Sequence, residues 1–252
     1  MYSKPTVIEN SKQLVDMTRL ADFYCALPVL STSLYTSFWS SPKLLEDIAS
    51  LSTADYHRRP IRNGRTRSST VPSVTGFPDS HPVALLKLAA KLRQPLLFRE
   101  MMVYVVSLWE MNCSDWEFVI KEAGLLDVVT QAYNRVYHLQ ARVFFNIFCD
   151  AVTDPDWREI VEGIAYKFEN IMGTHKQMEM AFFCKSLLDE LEKTEPAVES
   201  MEMRELLHLL LKSNLVLDKG ACISGQDKYF FQYLCAEVED AELPWDLGET
   251  DW

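Results

Sequence analysis

The chain has 252 residues, 48% of them apolar and 24% charged, with a net charge of −11. That length can bury a sizeable core in one large or two small domains, and the composition excludes a fibrous or wholly disordered chain. The acidic balance argues against binding nucleic acid or an acidic membrane over the whole surface, and 8 glycines leave little for a Gly-rich all-β fold or phosphate cradle.

In chain order, residues 2–8 read as a short strand that Pro5 confines to a sheet edge. Asn10 with Gln13 forms a capping-box signal, and Leu14, Met17, Ala21 and Tyr24 follow on one helical stripe. Pro28 suits the first turn of a second helix with Leu30, Leu34 and Phe38 on its apolar face. Ser41-Pro42 opens a third, short helix carrying Leu44, Leu45 and Ile48. Residues 52–80 change character. Pro, Gly, Ser and Thr dominate, and Arg58, Arg59, Arg62, Arg65 and Arg67 make this a flexible basic loop.

Helical order is expected to resume at Ser80. Leu85, Ala89 and Leu92 form a stripe that Pro95 separates from the next helix. "LLFREMMVYVVSLW" is apolar nearly all round and reads as a buried central helix, with Arg99 and Glu100 interrupting its upstream side. Leu125, Val129, Ala132, Val136, Val143 and Ile147 mark a long helix ending near Asp150. "DPDW" starts another, with Asp154 as cap, Pro155 in the first turn and Asp156 at the positive end of the dipole. Trp157, Ile160, Ile164, Phe168 and Ile171 continue it to Gly173. Met180, Phe183, Leu187 and Leu191 form the next helix, and Met203, Leu206, Leu207 and Leu210 the last. "KYFFQYLCAEV" reads as a terminal strand, followed by an extended acidic tail. The fold class is therefore mainly α: a helical bundle or array of about ten helices, with a short C-terminal strand or hairpin and a disordered basic loop. The aromatic and Met stripes read as core.

The motifs of chemistry are missing from this pattern. The histidines His57, His81, His138, His175 and His208 join no C-x-x-C or H-E-x-x-H spacing. Cys149 and His138 would sit about three helical turns apart. "GACISGQDK" at 220–228 imitates a phosphate-binding loop, but Gln226 replaces the required Lys. Asp150, Asp154 and Asp156 match no calcium loop. No cofactor, metal or catalytic residue is expected. "RTRSST", with Ser68 and Ser69, would suit a basophilic kinase, and the arginine loop could equally pair with the acidic tail. The start "MYSKPTVIENSK" has no apolar leader, and the longest apolar run, Met101 to Trp109, falls far short of the ~20 residues that span a bilayer. The cysteines are accordingly read as reduced thiols, and the location as cytoplasmic or nuclear.

Three segments together resemble fungal BTB/POZ-domain proteins: "LADFYCALPVLSTSL" at 20–34, "LLKLAAKLRQPLLFREMMVYVVSLW" at 85–109 and "YFFQYLCAEVEDAELPWD" at 229–246. The resemblance divides the chain into 1–51, the last helices of a BTB/POZ fold; 52–80, the loop; 81–212, a BACK-like helical extension; and 213–252, terminal strand and tail. The N-terminal part of the BTB fold, with its sheet and dimerisation surface, has no counterpart. That implies a truncated gene model, a fragment or a degenerate paralogue, and takes cullin binding away from the family's expected properties. It also predicts an exposed apolar surface on the first helices.

The expected function is a non-enzymatic protein–protein adaptor or scaffold. Leu14, Met17, Phe23, Tyr24, Leu34 and Phe38 are the candidate partner-binding residues. Arg58, Arg59, Arg62, Arg65, Arg67, Ser68 and Ser69 form the candidate regulatory loop. Two alternatives are a fragment that competes for the partners of full-length relatives, and nucleic-acid association through the arginines.

Overall fold

The computed structural model describes residues 8–40, 81–107, 109–172, 180–193, 198–212 and 236–248. Nine α-helices lie among them: α1 (Ser11–Phe23), α2 (Leu27–Ser40), α3 (Pro82–Lys91), α4 (Pro95–Ser107), α5 (Trp109–Glu122), α6 (Leu126–Thr153), α7 (Pro155–Met172), α8 (Met180–Lys193) and α9 (Val198–Leu211). Residues 2–7 of the edge strand expected over 2–8, the short helix over 42–48, the basic loop with its arginines, Ser68 and Ser69, and the turn at 220–228 lie outside the described residues, and Ile8 is not in a strand.

The local signals explain most helix boundaries. Asn10 caps α1 by accepting from the Gln13 N–H at 2.9 Å. The Gln13 side chain reaches back one residue further than a capping box requires, accepting from the Glu9 N–H at 2.9 Å. Asp154 ends α6 and starts α7: its N–H donates to Asp150 O at 2.8 Å, and its carboxylate accepts from the Asp156 N–H at 2.9 Å. His81 caps α3 through Nδ1, 3.3 Å from the Val83 N–H, with its ring edge-on to Trp116.

Three helices end in the same left-handed turn. Gly124 (φ 70°) closes α5, but Cys25 (φ 52°) and Arg93 (φ 46°) take that position after α1 and α3. At each, the following N–H returns to the carbonyl five residues back: Ala26 to Ala21, Gln94 to Ala89, Leu125 to Ile120. A side chain in this region costs about 1 kcal/mol against glycine. Cys25→Gly is therefore expected to stabilise the fold by about 0.5–1 kcal/mol, read as a rise in the urea midpoint. A fall would mean that the exposed thiol makes a contact worth more than the backbone strain.

The helices share one core. Ile8, Leu14, Leu30 and Leu34 belong to the same apolar cluster as Leu85, Phe98, Met101, Val129, Leu187 and Leu207. The first helices therefore do not stand apart from the remainder. Helix α1 packs on α2 and α3, α3 on α4, and α4 on α5 and α6. Helices α6, α7, α8 and α9 form a closed circuit, each packed on the next and α9 back on α6. Helix α4 is the centre: from Leu97 to Val106 every residue except Arg99 is buried, Glu100 among them.

No residue described is in a strand of the expected terminal sheet element. The described part of that segment, Ala236 to Val238, is irregular, and 228–235 lies outside the described residues. Ala236, Val238 and Leu243 are nonetheless buried, because two arginines of the helical body take over the hydrogen bonding that a ladder would supply. Arg99 Nε donates to the Val238 carbonyl at 2.9 Å, and its guanidinium pairs with Asp240. Arg135 donates to the Glu237 carbonyl at 2.7 Å and pairs with Glu242. Lys212 adds a contact to the Glu237 carboxylate at 3.4 Å. A 3-10 turn, η1 (Asp240–Glu242), follows, and Trp245 sets its ring edge-on to Phe98 at 5.2 Å. The tail's carboxylates are thus engaged by α4, α6 and the end of α9.

Burial alone would raise the Glu242 carboxyl. The Arg135 hydrogen bond, the Glu239 N–H at 2.9 Å and the Arg135 charge outweigh it and hold the group below the ordinary glutamate value. Its contribution is therefore complete above about pH 4.3, the unfolded value, and is lost as pH falls through the lower folded value. Glu242→Gln is expected to be less stable than the parent at pH 7, with the gap closing towards pH 3. A gap that stays constant across an acid titration would show that the carboxylate charge does not hold the tail.

Candidate partner-binding face

The six expected partner-binding residues divide into three groups. Leu14 and Leu34 are fully buried and build the α1–α2 interface with the core, so they cannot meet a partner. Met17 is half-buried against that core. Phe23 and Tyr24 stand out in solvent, 79% and 71% exposed, and the side chain of Phe38 lies outside the described residues.

Tyr24 departs from the helical stripe that predicts it inward. It is the C-cap of α1, and the left-handed Cys25 turns the chain away immediately afterwards. A position at the end of a helix no longer follows the 3.6-residue period of its interior. Phe23 lies on the side of α1 away from Leu14, Val15 and Thr18, which are buried.

Two further apolar residues that the pattern does not single out lie close in sequence to the same turn, Leu20 and Val29, both exposed. The Phe23 and Tyr24 rings meet edge to face at 5.0 Å, a favoured aromatic geometry that restrains both rotamers. The turn itself is held rigidly. Ala26 N–H closes on Ala21 O at 2.6 Å, Lys91 of α3 pairs with Asp22 at 2.5 Å, and Gln94 Nε2 reaches Ser31 O at 3.4 Å. An aromatic pair held on such a turn offers an anchor to an apolar surface.

Comparison with protein-family models, curated proteins and solved structures gives no match.

Elsewhere, α7 and α8 flank a hollow of about 330 Å³ with Asp156, Glu159 and Glu190 around a floor of Ile160, Gly163 and Ile164. Glu190 is paired with Lys193 at 3.0 Å. No group of three His, Cys, Asp or Glu side chains among the described residues is arranged to hold a metal ion. Cys184 is fully buried in α8, and burial pushes its thiol up to about 12, which makes it an inert core residue. His138 and His208 are exposed on separate helices. Among the described residues no helix is long and apolar enough to cross a membrane.

Proposed function

We propose that the chain is a non-enzymatic protein–protein interaction module, an adaptor or scaffold of the BTB/POZ kind. The observation that supports it is the exposed aromatic turn between α1 and α2, where Phe23 and Tyr24 face solvent on a fixed backbone. Large apolar side chains clustered on a rigid surface are what a partner's apolar pocket recognises, and burying each would contribute roughly 1.5–3 kcal/mol. The BTB/POZ class rests on the three sequence segments that resemble that family, two of which form the α1–α2 turn and the central pair α3–α4. The same face would serve a competitor of full-length relatives, since both roles need one apolar docking surface.

The test is affinity capture from cell extract with three forms of the full chain: parent, Phe23→Glu with Tyr24→Glu, and a chain lacking residues 52–80. The reading expects a partner set retained by the parent and by the loop deletion but lost from the aromatic variant, with all three equally helical. Retention by the aromatic variant would overturn it. So would loss on replacing Arg58, Arg59, Arg62, Arg65 and Arg67 with Ala, accompanied by a steep salt dependence, which would instead mark nucleic-acid association.

A further inference from the structure

Helix α6 has two apolar faces. Val129, Ala132, Val136, Val143 and Ile147 are buried against the bundle. Roughly 130° round the helix lies a second stripe: Tyr137, Ala141, Phe144, Phe145, Phe148 and Val152, all exposed. Phe145 and Phe148 are 67% and 68% exposed, while Phe144 sits at the edge, stacked on Phe183 at 5.9 Å. At 3.6 residues per turn these six positions occupy an arc about 100° wide and about 22 Å long. Every residue of α6 between Tyr137 and Val152 that falls in this arc is apolar.

The steps of the stripe along the chain run 4, 3, 1, 3 and 4, symmetric about a midpoint between Phe144 and Phe145 as positions on one arc of a regular helix are; what the sequence adds is which side chains stand opposite one another. A two-fold axis through that midpoint, perpendicular to the helix, sets an antiparallel copy with Tyr137 opposite Val152, Phe144 opposite Phe145, and Ala141 opposite Phe148. The last pairing occurs twice and places the smallest side chain of the stripe against a large exposed ring, a knob facing a hole. This is the self-complementarity that an isologous interface demands, with residue i on j and j on i.

The area reaches what an interface needs when the stripe is fully covered. Four aromatic side chains of about 150–250 Å² each, exposed by a third to two thirds, together with Val152, present up to roughly 500 Å² per copy, hence up to about 1,000 Å² for the pair, the lower bound for a specific interface.

We propose that the α6 stripe is a homodimer interface, occupied by the same stripe of a second copy running antiparallel. The interface is separate from the α1–α2 turn and does not depend on the adaptor reading.

Light scattering of the full chain from about 1 to 300 μM, with circular dichroism as the control for folding, tests it. The parent should approach about 58 kDa, two chains of 29.1 kDa. Phe148→Glu and Ala141→Lys should each raise the dissociation constant by about 100-fold or more with helicity unchanged. The double variant Ala141→Lys/Phe148→Glu should regain at least about tenfold of that loss, because the two-fold sets each new cation against a new anion of the other copy. A parent that stays monomeric at every concentration overturns the proposal. A dimer untouched by Phe148→Glu but broken by Phe23→Glu overturns it as well, by placing the contact on the α1–α2 turn. Single variants that dissociate with no recovery in the double variant overturn the antiparallel pairing.

Discussion

Phe98→Ala is expected to lower the stability of the fold by about 3–5 kcal/mol, the cost of removing a fully buried ring from a packed core. Phe98 has no exposed surface and stands near the start of α4, the helix around which the others are arranged. Its ring also carries the edge-on contact to Trp245 that seats the terminal segment. Two losses therefore coincide: the cavity left in the core, and the aromatic pair, worth about 1 kcal/mol beyond its area. Phe98→Leu keeps most of the volume and should cost about 1–2 kcal/mol. Urea unfolding of the three proteins checks this. A loss below about 1 kcal/mol for the alanine variant would mean that α4 is not the packed centre of the molecule.

Replacing Arg99 and Arg135 together by Ala is expected to cost about 2–4 kcal/mol and to free residues 236–248 from the helical body. The ion pairs to Asp240 and Glu242 would contribute little as surface pairs alone, since Asp240 is 71% exposed. The larger share comes from the two donors to backbone carbonyls, Val238 at 2.9 Å and Glu237 at 2.7 Å. Without them the carbonyl of the buried Val238 loses its donor, while the exposed Glu237 carbonyl passes to water. Hydrogen exchange should show the protection of 236–248 falling at least about tenfold in the double variant, while α8 and α9 exchange as before. Equal loss of protection throughout would mean that the terminal segment is integral to the bundle and not a separable latch.

Much of this architecture is legible in the sequence because it is written in local signals. Asn10, Asp154 and Pro155 start helices where capping chemistry says they should, and the stripes of Phe183, Leu187, Leu191 and of Met203, Leu206, Leu210 are buried as their period requires. Helix α5 is not evident from pattern, since "WEMNCSDWEFVIKE" mixes charges into its apolar face, on which Trp109, Trp116, Val119 and Ile120 are buried. Arg99 looks like an interruption of an apolar run until its partner, 139 residues away, is known. Local periodicity carries no information about such a contact. Phe144, Phe145 and Phe148 fail the core expectation for a different reason. Once Val143 and Ile147 have claimed the inward face of α6, geometry sends their neighbours outward whatever their hydrophobicity. The same logic divides the candidate partner-binding residues: those that fit the stripe best, Leu14 and Leu34, are consumed by packing, and Phe23 and Tyr24, which break it, are exposed.

The terminal latch also sets an order of events at the ribosome. Val238 is synthesised 139 residues after Arg99, a delay of roughly 7–30 s at ordinary elongation rates. Throughout that interval α4 exists without the segment that covers the Phe98 side of it. The nascent bundle therefore presents an uncapped aromatic surface for seconds, long enough for a chaperone to compete with the chain's own last turn for the same site.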